Sequence, residues 1–138
     1  MIFKTKKEKK YDFIDEGTGH PLVLLHGLMG GLSNFDKMIS YFSEKGYRVL
    51  VPQMPIYDLP MLNTNLTAIA KFVAKFIDEN VKEPVTIVGN SMGGHIGLIL
   101  TTMRPDLVAN LVLTGSSGLY ERSFGDSFPR KSDKDYIK

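Results

Sequence analysis

The segment Pro21-Leu22-Val23-Leu24-Leu25 is apolar at every position and runs straight into the glycine-rich stretch His26-Gly27-Leu28-Met29-Gly30-Gly31. A strand with one solvated face alternates polar and apolar residues. An unbroken run instead suits a strand buried on both faces, as in a parallel sheet covered by helices. Comparable short stretches return as Tyr47-Arg48-Val49-Leu50-Val51, Val85-Thr86-Ile87-Val88 and Ala109-Asn110-Leu111-Val112-Leu113. Between them the period changes to that of a helix. Phe35, Met38, Ile39 and Phe42 form one stripe, and Leu66, Ile69, Ala70, Val73, Phe76 and Ile77 form another within an expected helix over residues 65–79. Residues 92–103 read as a third helix, packed closely because Gly93, Gly94 and Gly97 lack side chains.

The punctuation agrees with this order. Residues 10–15 alternate loosely and stop at Gly17-Thr18-Gly19, which predicts a short strand and a turn. Ser33 is placed to start the first helix, with Asp36 three residues on as a variant of the capping box, and Gly46 ends it. Strands alternating with helices define an α/β chain with a mostly parallel sheet and helices on both faces. Residues 119–138 are polar and lose the period, apart from a helix start at Ser132.

Composition narrows the function classes. Of 138 residues, 43% are hydrophobic and 23% charged, an ordinary globular balance. Five of the 17 basic and one of the 15 acidic side chains lie in residues 1–10, which leaves 12 against 14 in the body. A body without cationic excess is a poor partner for nucleic acid. The basic leader is followed by no apolar segment, so it reads as a solvated terminus and not as a secretory signal or membrane tether. No apolar run approaches the ~20 residues of a membrane span. The absence of cysteine fits a reducing compartment, and a cytoplasmic location is expected.

Gly89-Asn90-Ser91-Met92-Gly93 is a G-x-S-x-G motif between an expected strand and an expected helix. Composition alone would produce roughly 0.08 such matches by accident in a chain of this kind. The strand–turn–helix context is what the chemistry requires: a turn so sharp that Ser91 lifts its hydroxyl clear of the sheet, with small residues at 89 and 93 to avoid collision across it. The spacing fits neither a dinucleotide fingerprint nor a Walker loop, and no lysine follows the glycines.

Taken together, Leu22-Val23-Leu24-Leu25-His26-Gly27 and Asn90-Ser91-Met92-Gly93-Gly94 resemble the α/β-hydrolase family, in the family's order and on the expected elements. The resemblance covers nearly the whole chain. It implies that Ser91 is the nucleophile, that the backbone N–H groups of Leu28 and Met92 form an oxyanion hole, and that His26, Gly27, Gly89 and Gly93 shape the site. It also implies about eight strands and a helical cap. On that reading residues 1–138 are the N-terminal part of one domain, stopping before the cap and last strands, and residues 119–138 begin the cap. One departure stands out. Family members carry an acidic, glycine-rich segment where this chain has Pro52-Gln53-Met54-Pro55-Ile56-Tyr57-Asp58.

A serine needs a base, and the base an orienting acid. The histidines are His20, His26 and His95, with none after residue 95. His20 precedes its strand, roughly 16 Å from the end where ligands bind in such sheets. His26 matches the family's structural oxyanion-loop histidine. His95 lies one turn into the helix after Ser91 and is the remaining candidate base. No carboxylate follows the last strand until Glu121. The expected function is therefore hydrolysis of an ester, thioester or similar acyl bond of a small-molecule substrate, with acid and histidine supplied from a missing C-terminal part. Carbon–carbon bond hydrolases share similar elbows and stay open. The alternative is a catalytically incomplete fragment that binds a small ligand or partner. Such a fragment would self-associate or hold a complementary C-terminal piece. Neither metal nor cofactor is expected, since no His-x-x-x-His or comparable pair exists.

Overall fold

Each apolar run becomes a strand in the computed structural model, which describes residues 6–8, 11–27, 35–55 and 65–115. The elements are β1 (Lys6–Glu8), β2 (Tyr11–Glu16), β3 (His20–Leu25), α1 (Asp36–Ser43), β4 (Tyr47–Pro52), α2 (Leu66–Asn80), β5 (Val85–Asn90), α3 (Met92–Met103), a 3₁₀ turn (Pro105–Leu107) and β6 (Val108–Thr114). They build one six-stranded sheet among the described residues, in the order β1-β2-β4-β3-β5-β6. β4, β3, β5 and β6 are parallel, and β1 and β2 add an antiparallel margin.

One expectation is corrected here. The basic leader is not wholly a solvated terminus, because Lys6–Glu8 pairs antiparallel with β2 through Lys6↔Phe13 and Glu8↔Tyr11. A short, charged strand is a well-tolerated sheet edge. The expected helix start at Ser33 lies outside the described residues; α1 is described from Asp36, with Phe35 at the cap position and no side-chain cap bond there. By contrast Asn65 caps α2 through a 2.7 Å bond from the Ala68 N–H to Asn65 Oδ1, the usual service of an Asn at that position.

The helices divide between the two faces of the sheet. α2 and α3 lie on one, where Ile69, Val73, Phe76 and Ile77 pack with Val23, Leu25, Leu50, Ile87 and Ile96. Tyr11 and Phe13 meet Phe76 edge-on at ring distances of 5.4 and 5.1 Å. Burial, followed by the neighbouring Glu79 carboxylate, pushes the Tyr11 hydroxyl up to about 12. α1 covers the other face, placing Ile39 and Phe35 on Leu22, Leu24, Val49 and Val51. The alternating stripes and continuous runs of the sequence thus become a three-layer α/β core. At the margin, Arg48 grips Asp15 with two bonds of 3.0 and 2.9 Å and fastens β4 to β2. The pair is partly buried, and its two-pronged geometry fixes the register of the two strands at this margin.

Candidate active site

β3 is flanked by β4 on one side and β5 on the other, so the chain reverses its direction of travel across the sheet there. In open parallel sheets the crevice at the carboxyl ends of such strands is where ligands bind. The two sequence motifs end at that place: β3 runs out into His26-Gly27, and β5 runs out into Ser91.

Ser91 has φ 55° and ψ −120°, a left-handed conformation that an L-residue adopts at a cost and that only Lys82 shares in sign among the described non-glycine residues. α3 begins at the next residue. The side chain of Ser91 is exposed, and it does not cap the helix that follows. The first N–H groups of any helix lack intrahelical acceptors, and Met92 contributes the first of them here. Their partial positive charge favours an oxyanion at this end.

The glycines are small for two separate reasons. A β-carbon on Gly89 would lie 2.5 Å from Gly94 Cα and 2.6 Å from the Gly93 carbonyl, a collision across the turn. A β-carbon on Gly93 would instead strike the carbonyl of Leu25 and come within 2.7 Å of the carbonyl of His26. Gly93 therefore seats the start of α3 on the end of β3, a cross-strand constraint that the turn alone does not impose. Gly27 stands beside the serine, since a β-carbon there would be 3.2 Å from Ser91 Cβ and 3.6 Å from Ser91 Oγ.

His26 is buried to 1% exposure. Its Nδ1 lies 3.0 Å from the Gly27 carbonyl, and its Nε2 accepts the Met54 N–H at 3.3 Å. An accepting Nε2 places the ring proton on Nδ1, which donates to Gly27. Desolvation lowers the His26 pKa below 6.5, outweighing the opposing bond to Gly27, and the neutral ring suits both contacts. The imidazole thus ties the loop after β4 to the loop after β3. The 52–58 segment stands out in the sequence, but this tie does not, because a backbone N–H leaves no residue-type signal.

The remaining candidates divide clearly. His20 bonds Thr86 Oγ1 at 2.8 Å near the starts of β3 and β5, at the opposite end of the strands from Ser91. His95 lies within α3, half-buried, with its backbone N–H donating to the Ser91 carbonyl at 3.3 Å. Leu28, Glu121 and the 119–138 tail lie outside the described residues. Among the described residues no group of three or more His, Asp or Glu side chains is placed to hold a metal ion, and no helix is long and apolar enough to cross a membrane.

Residues 20–138 match the profile of the alpha/beta hydrolase fold, and the chain belongs to that family. It is 32% identical over 116 residues to a 2-hydroxy-6-oxononadienedioate/2-hydroxy-6-oxononatrienedioate hydrolase of Burkholderia vietnamiensis, covering 78% of this chain and 40% of that protein. It is also 32% identical over 133 residues to an (E)-2-((N-methylformamido)methylene)succinate hydrolase of Acinetobacter baylyi, covering 89% of this chain and 48% of that protein. A crystal structure of an alpha/beta hydrolase enzyme from the sediment metagenome of the Mar Chica lagoon, Morocco, superposes with a TM-score of 0.80 at 50% identity. That match covers 86% of this chain and 54% of the other. The chain thus spans about half or less of the length of these relatives.

Proposed function

We propose that this chain carries the nucleophilic half of a hydrolase, with Ser91 attacking a carbonyl carbon of a small-molecule substrate. The observation that carries the reading is the conformation of Ser91: a strained serine between a buried strand and a helix N-terminus, with Gly27 beside its hydroxyl. Strain of this kind persists where the surroundings over-determine it and clusters at functional sites. Attack would place negative charge on the carbonyl oxygen, and the Met92 N–H is offered as one donor to it, with Leu28 as the other. Donors of this type contribute roughly 2.7–4 kcal/mol each in hydrolases.

Activation of the hydroxyl needs a base and an acid. Since the chain spans 40% and 48% of the two curated relatives, both groups are assigned to the whole protein beyond the described residues. The domain is accordingly read as the N-terminal part of a larger hydrolase unit that self-associates or holds a complementary segment. The working location is read as the cytoplasm. For substrate, we favour an ester, thioester or related acyl bond. A second reading follows from the relatives' names, several of which specify 2-hydroxy-6-oxo-dienoic acids; there the bond broken would be carbon–carbon, through the same serine.

The test is a fluorophosphonate probe followed by peptide mapping, on wild type and Ser91→Ala, with ester turnover measured on the full-length enzyme. The label is expected on Ser91 and absent from Ser91→Ala, with kcat lowered on the order of a thousandfold or more. Turnover unchanged in Ser91→Ala would overturn the assignment.

A further inference from the structure

We infer that Thr114, at the end of β6, is a positioning residue for the Ser91 hydroxyl; the inference rests on the reading of Ser91 as nucleophile. A strained residue must be held from both sides. On the C-terminal side, the Ser91 carbonyl accepts the Gly94 N–H at 3.0 Å and the His95 N–H at 3.3 Å, both from the first turn of α3. On the N-terminal side, the support comes from one residue. The Ser91 N–H donates to the Thr114 carbonyl at 3.2 Å, which continues the β5–β6 ladder one residue beyond the Asn90↔Thr114 pair. The Thr114 hydroxyl lies 3.2 Å from Asn90 Oδ1 and 3.4 Å from the Gly89 carbonyl, one proton shared between two acceptors. Thr114 therefore touches residues 89, 90 and 91 in succession.

No other strand among those described can replace it. The ladder between β3 and β5 ends at Leu25↔Gly89, so beyond Gly89 the elbow is paired with β6 alone. The irregularity in β5–β6 register falls at Val85/Thr86, and from Thr86↔Asn110 to Asn90↔Thr114 the pairing is unbroken. Immediately after the contact, Gly115 takes φ 58° and turns the chain past Asn90, where an added β-carbon would stand 3.9 Å from Asn90 Oδ1. A threonine serving only strand propensity would be replaceable by valine, which has the same branching and no hydroxyl. A threonine that fixes the elbow would not.

The experiment compares wild type, Thr114→Val and Thr114→Ser by residue-resolved amide hydrogen exchange and by the rate of fluorophosphonate labelling at Ser91. Thr114→Val should speed exchange at Asn90 and Ser91 by ~2–10-fold, the effect of one net hydrogen bond, with α2 unchanged. Labelling should slow by a similar factor, and Thr114→Ser should restore both. The inference is overturned if Thr114→Val matches wild type, if Thr114→Ser behaves as Thr114→Val, or if α2 accelerates in step with the elbow, which would mark a global loss of stability. A wild-type Ser91 that takes no label removes the nucleophile reading instead, a result separable from the exchange pattern.

Discussion

Among the described residues the two faces of the sheet are covered to different extents. Over the α2 and α3 face, large side chains such as Phe76, Ile77 and Leu100 are fully enclosed. Over the α1 face, the coverage by described residues extends across β4 and β3 and stops there. There the described residues leave a groove of about 750 Å³ above β5 and β6, walled by Leu22, Met38, Phe42, Val88 and Val112. Val112 is 45% exposed, high for a valine in the middle of a strand. Ala109-Asn110-Leu111-Val112-Leu113 reads as a strand with a neighbour on either side, yet β6 is the last strand among the described residues. The difference teaches that local pattern reports how a strand is to be buried, while the identity of what buries it is a property of the rest of the polypeptide.

Truncating Phe76 to Ala should have the largest effect, since it removes a fully buried ring from the sealed face. A loss of ~3–5 kcal/mol by urea denaturation is expected. A loss below about 1 kcal/mol would mean the two faces are not as unequal as drawn. Gly93→Ala comes next. Its added carbon meets backbone carbonyls that cannot swing away as a side chain would, and overpacking of this sort costs typically 1–3 kcal/mol. Thermal unfolding as wild type in Gly93→Ala would show that α3 does not rest on β3 as described.

A pH-dependent effect should be smaller. His26 is held neutral by burial, with a folded pKa below its ordinary 6.5. A group depressed on folding stabilises the native state above the unfolded pKa, and that contribution fades as pH falls from 6.5 toward the folded value. Melting temperature should therefore drop on acidification through this window, and His26→Ala should flatten the drop while lowering stability at neutral pH. An identical pH profile in His26→Ala would remove the tie between the two loops. Val112→Ala is the smallest expected change, within about 0.5 kcal/mol for a half-exposed position. A cost several times larger would show that something covers the groove in solution, and would sharpen the comparison from two faces to a face and its missing lid.

Most of the fold was legible because apolar periodicity is a local property. The stripe from Leu66 to Ile77 follows directly from spacing, and residues 92–103 read as the helix that must join two parallel strands. Boundaries set by tertiary contacts were not legible. β1 forms from a lysine-rich leader only because β2 offers a ladder. At the site, Ser91, Gly89 and Gly93 announce themselves by residue type. Thr114 and Met54 do not: a threonine at the end of a strand reads as ordinary strand propensity, and Met54 brings to His26 a backbone N–H, which is the same in every residue.

Gly93 also limits how the chain can change. Every missense single-base change in a glycine codon specifies a residue with a β-carbon, and the seats of Gly89 and Gly93 have no room for one. A saturation mutagenesis scan should find those two positions nearly monomorphic, while Met92 tolerates a spectrum. The elbow's shape is then inherited largely through two residues that carry no side chain at all.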